Sequence, residues 1–188
     1  LGHQSQALIE VRAAASLDAT SVDGLLCPIM KDVGDAILSA APFGPASERA
    51  HFLATSARCL PVEHPLVEKI DEIIAREDPA ATGPAERAAR RHFARGDIEA
   101  ALLANAALLE RAPNHLPALE ERVQFLFRAG SYQQAALAAE QAAPRLSGHA
   151  LVRVLVIRAR ALGRLDDEAG LQAALSELRA LADGDTTR

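Results

Sequence analysis

The chain has 188 residues, 49% of them hydrophobic but only 3% aromatic, with no Trp, one Tyr and a net charge of −5. Apolar content carried by alanine and leucine suits closely packed helices and argues against a β-sandwich or barrel. The net charge gives no nucleic-acid footprint, though it is uneven: residues 1–80 hold 6 basic and 12 acidic side chains, and the remainder 14 and 13. No apolar run reaches bilayer length, so no membrane span is expected, and no signal-peptide pattern opens the chain. Cys27 and Cys59 lie far apart, without a C-x-x-C pair or a histidine at ligand spacing. They read as two buried thiols in a reducing compartment, with a disulfide as the alternative. A cytoplasmic protein is the resulting expectation. Leu1 is not an initiator Met and reads as an excision or processing boundary.

In chain order, residues 2–21 predict a helix with Ala7, Val11 and Ala14 on one face. Ser21 caps a helix to about Ala40. Within it Asp32 and Asp35 flank Gly34 but lack the alternation of a calcium loop. Pro42-Phe43-Gly44-Pro45 opens a helix carrying Ala50, Ala54 and Ala57, and Pro61 ends it. Residues 65–76 form a short helix. There His64, Glu68, Asp71 and Glu72 read as a solvated acidic face, or as ligands of a divalent metal. Residues 78–84 are a linker or sharp turn. The expected division is thus 1–80, then 81–182, with a polar tail over 183–188.

The second part is the clearest. Helices are predicted over 84–95, 97–111, 117–129, 132–143, 149–162 and 166–181, punctuated by Gly96, Pro113, Gly130, Pro144 and Gly163. The turn glycines stand 34 and 33 residues apart, a period that marks stacked helix–turn–helix units. Ala101, Asn105 and Leu108 lie at i, i+4 and i+7, as do Ala135, Ala139 and Ala142, and then Ala169, Ala173 and Ser176. Such small stripes let antiparallel helices approach closely. The facing helices offer Leu119, Val123 and Leu126, then Val152, Leu155, Val156 and Ala159.

With Gly96, Ile98, Ala101 and Pro113, then Gly130, Tyr132, Ala135 and Ala142, then Gly163, Leu165 and Ala169, the chain resembles the tetratricopeptide repeat family over about half its length. The third turn is one residue longer, and Ala85, Leu119 and Val152 stand where that family often has Trp. The resemblance implies an all-α, right-handed α-solenoid of antiparallel helix pairs. Residues 2–21 then read as the second half of a repeat whose first helix precedes Leu1. Self-association through Ala7 and Val11, or cover by a neighbouring segment, is expected at that edge.

No phosphate loop, dinucleotide fingerprint, nucleophile elbow or H-E-x-x-H is present, so the expected function is non-catalytic, without cofactor or metal. The resemblance places the first helix of each pair on a concave groove that binds a protein or peptide partner. Its candidate residues are Arg90, Phe93, Phe127, Arg128, Arg153, Ile157 and Arg160, with Glu86, Arg87, Gln124 and Val154 alongside. The arginines suit an acidic peptide. Glu86, Glu120 and Glu121 stand in the same groove and are equally able to pair with them. Glu86, Arg90 and Glu121 occupy positions of the clamp with which some relatives hold chaperone tails, and two carry the wrong charge for it. His92 is expected to be a buried neutral histidine, and Asn105 to need a partner. Phe125 and Tyr132 are expected to pack between units, with Phe127 as a possible aromatic anchor. Two other classes stay open: the helical accessory region of a larger enzyme, such as a glycosyl- or sulfotransferase, and a small-ligand binder using the Arg–Phe groove.

Overall fold

The structure, a computed structural model, describes residues 53, 54 and 57–184. The expectations for the helices before residue 53, including the apolar edge at Ala7 and Val11, lie outside them. Among the described residues, seven α-helices and one 3-10 turn follow the helical residues Leu53, Ala54 and Ala57, and there is no strand. They are α1 (Pro65–Glu77), α2 (Gly83–Ala94), α3 (Ile98–Arg111), α4 (Leu116–Arg128), α5 (Tyr132–Ala142), α6 (Gly148–Arg164) and α7 (Glu168–Gly184), with the 3-10 turn at Ala143–Arg145. The boundaries follow the predicted ones closely. Packing divides the chain between Arg87 and Ala88 into two compact units.

In the first unit, α1 is capped by His64, whose Nδ1 accepts from the Leu66 N–H at 3.2 Å, and Pro65 opens the helix where its missing N–H costs nothing. Val67, Ile70 and Ile74 fall at helical spacing and are buried with Leu53, Ala57 and Leu60. The Arg87 guanidinium reaches Asp71 of α1, its Nε donating at 2.8 Å. Asp71 is therefore a buried structural carboxylate and not part of a solvated acidic face.

In the second unit, consecutive helices pack on one another in order, α3 on α4, α4 on α5, α5 on α6 and α6 on α7, and α4 also touches α6. The small stripes explain this. Ala101, Asn105, Leu108, Ala135, Ala139 and Ala142 are all buried, and the alanines among them let the helices approach closely. The larger side chains come from the helices opposite: Val123, Leu126 and Leu155 are buried, with Leu119 half-buried beside them. Asn105 is fully buried and donates through Nδ2 to the Ala118 carbonyl at 2.9 Å, tying α3 to the start of α4.

Three turns share one hydrogen-bond pattern. Asp97 N–H donates to the His92 carbonyl, Ser131 to Leu126, and Asp167 to Leu162. Each is the six-to-one bond that closes a helix through a left-handed residue. That residue is Gly96 (φ 80°) and Gly130 (φ 75°) in the first two turns, and Asp166 (φ 55°) in the third. The expectation that Gly163 makes the third turn is thereby corrected: Gly163 lies inside α6, which runs on to Arg164. The caps agree, since Asp97 Oδ1 accepts from Ala100 N–H at 3.1 Å and Asp167 Oδ1 from Gly170 N–H at 2.9 Å.

The shift rotates the last pair away from its expected register. Ala169, Ala173 and Ser176 are exposed, and α7 instead packs through Ala174, with Leu171 and Leu175 half-buried beside it. On α6, Val152 and Val156 are 43% and 40% exposed, while Val154, expected in the groove, is buried.

Candidate functional site

The first helix of each successive pair in the second unit presents charged and aromatic side chains toward the next, and these close into a row. Arg90 of α2 is ion-paired with Glu121 of α4. Phe93, one turn further along α2, lies under Arg128, whose guanidinium carbon is 6.0 Å from the ring centre. Between α4 and α6 the same arrangement recurs. Arg153 holds Glu120 with two hydrogen bonds, Nη2 to Oε2 at 3.0 Å, and Arg160 lies over Phe127 at 4.9 Å. Glu120 and Phe127 are seven residues apart, as are Arg153 and Arg160, so each pair keeps one helix face.

The ring positions are set by packing. Phe93 stacks on the buried Phe125, centres 4.6 Å apart and planes 25° from parallel. Phe127 is half-buried and tilts against Tyr132 at 5.4 Å. Each ring thus has one side in the core and offers the rest to an arginine. Ile157 is half-buried against the cluster of Val123, Ala139 and Val154.

Six of the seven candidate residues are thereby brought into one row, and Ile157 is half-buried against the neighbouring cluster. Arg87 is not part of the row, because it turns to Asp71. Glu120 and its hydrogen bonds hold the Arg153 guanidinium above its ordinary pKa. The pair is exposed, and such pairs add little stability in water.

His92 is 40% exposed at its side chain, with Nδ1 3.9 Å from Asp97, and the neighbouring Arg91 is the buried residue instead. Arg164, which spacing does not single out, lies over the Tyr132 ring at 5.9 Å. The exposed Val152 and Val156, also outside the candidate set, share the outer side of α6 with Arg153 and Arg160. Their helical spacing, four residues apart beside two arginines, was the available signal. No group of three or more histidine, cysteine or acidic side chains converges among the described residues as a metal site would require.

Cys59 is disulfide-bonded, which corrects the expectation of a free thiol there; Cys27 lies outside the described residues. No helix among the described residues is long and apolar enough to cross a membrane. No protein-family model matches the chain, and no curated protein matches it.

Proposed function

We propose that the chain is a non-catalytic scaffold, a right-handed α-solenoid of the tetratricopeptide kind, that binds a partner polypeptide along the face of α2, α4 and α6. The observation that carries the reading is the recurrence across successive helix pairs of an arginine, a carboxylate and an aromatic ring on that face. Repeated units present repeated contacts, and an extended chain can touch each in turn. Rings fixed from behind by the core provide rigid apolar contact at low entropic cost, and arginines provide hydrogen-bond direction. The cytoplasmic expectation leaned on free thiols and loses that support at Cys59, since disulfides are rare in the reducing cytosol.

Photo-cross-linking separates this face from the others. Benzoylphenylalanine at Val156, beside Arg160, is expected to capture a partner from a host extract. The same group at Leu103, exposed on the side of α3 opposite its buried stripe, is expected to capture nothing. Capture from Leu103 with none from Val156 overturns the assignment of the face.

A further inference from the structure

We propose that Arg128 and Arg160 are the two residues through which an acidic segment of the partner is gripped, an inference that rests on the α2–α4–α6 face being the polypeptide-binding surface. The four arginines of that face are of two chemical kinds. Arg90 and Arg153 already hold Glu121 and Glu120. A carboxylate arriving from outside displaces one that is in place, exchanging like for like. Arg128 and Arg160 are both exposed, and among the described residues neither is in an ion pair; each rests on the ring of the preceding first helix.

A guanidinium held over a ring by its charge uses none of its N–H donors there, and they remain available in the fork that matches a carboxylate. The ring also restricts the side chain before binding, so less rotamer freedom is lost when the carboxylate arrives. Arg128 gains further from standing at the end of α4, where the helix dipole favours a cation and holds it in place.

The surroundings define the occupant more closely. Val156 is exposed and stands four residues before Arg160 on α6, so an apolar side chain next to an acidic one finds both contacts at this point. Residues 81–188, which hold the face, carry 14 basic and 13 acidic side chains, too balanced for the continuous basic surface a long polyanion needs. A short segment mixing Asp or Glu with apolar residues fits these conditions, and nucleic acid does not.

The test uses the whole chain, immobilised, against a display library of random peptides. Peptides enriched in Asp and Glu are expected, and their binding should weaken as salt rises. The double variant Arg128→Gln with Arg160→Gln should lose that enrichment and bind a selected acidic peptide about tenfold more weakly, from two lost exposed charge contacts. The variant Arg90→Gln with Arg153→Gln, which leaves Arg128 and Arg160 in place, should keep the acidic enrichment and weaken the selected peptide less than the Arg128/Arg160 variant does. Thermal melts of both variants establish that they are folded. Selected peptides without acidic bias overturn the acidic grip and leave polypeptide binding standing. So does an enrichment unchanged by the Arg128/Arg160 variant, or lost only in the Arg90/Arg153 variant. A library from which nothing is selected overturns both readings.

Discussion

Asp166 occupies in the α6–α7 turn the place that Gly130 occupies in the α4–α5 turn: φ is 55° at one and 75° at the other, and the following N–H closes the same bond five residues back. The recurring turn therefore falls at residues 96, 130 and 166, and the last interval is two residues longer, about half a helical turn. A non-glycine residue in this conformation carries a penalty, which Asp tolerates better than most.

This yields opposite outcomes for three glycines. Gly130→Ala and Gly96→Ala should each cost about 1 kcal/mol, because both need positive φ. Gly163 is helical, and an added Cβ meets nothing closer than Leu171 at 3.9 Å. Gly163→Ala should therefore stabilise by about 0.5–1 kcal/mol. Asp166→Gly should also raise the melting temperature. Destabilisation by Gly163→Ala would put the turn back at that residue.

Register on the alanine stripes is tested by size. Ala135 is fully buried, and Ala135→Phe should cost about 1–3 kcal/mol by overpacking. Ala173 is exposed, so Ala173→Leu should leave the melt within about 0.5 kcal/mol of the parent. A loss at Ala173 equal to that at Ala135 would contradict the rotation of α7.

Most of the helical architecture was legible because its punctuation is local. His64-Pro65, Asp97, Pro113 and Gly130 each act through backbone groups within a few residues, so the sequence places helix ends by itself. The third turn was not legible, because Gly163 offers the same side chain inside a helix as at its end. Only the Asp167 cap and its bond to Gly170 N–H fix the alignment. The row of site residues could be placed on one face by spacing alone. Which arginines are ion-paired and which lie on rings depends on contacts between helices more than thirty residues apart, and spacing carries no such information.

The Asp71–Arg87 ion pair has side-chain exposures of 7% and 16%, so both partners are largely out of water. Asp71→Leu alone should destabilise by about 3 kcal/mol, since it strands a largely buried guanidinium. Adding Arg87→Met should recover part of the loss, because it removes the stranded charge while the other interaction of Asp71 stays lost. Urea unfolding of the single and double variants measures the difference, and an additive double variant would contradict a direct pair.

The disulfide at Cys59 has a chemical readout. No thiol should titrate in the denatured chain until a reductant is added, and Cys59→Ser should lower stability by about 2–4 kcal/mol. Two titratable thiols per chain before reduction would restore the reading of free cysteines.

The central claim is that one face, built from the first helix of each pair in the second unit, carries the partner. Amide hydrogen exchange with and without a selected acidic peptide tests it most directly. Added protection is expected in α2, α4 and α6, strongest toward Arg128 and Arg160, with α3 and α5 unchanged. Protection concentrated on α3 and α5, with α4 and α6 exchanging as in the free chain, would contradict it.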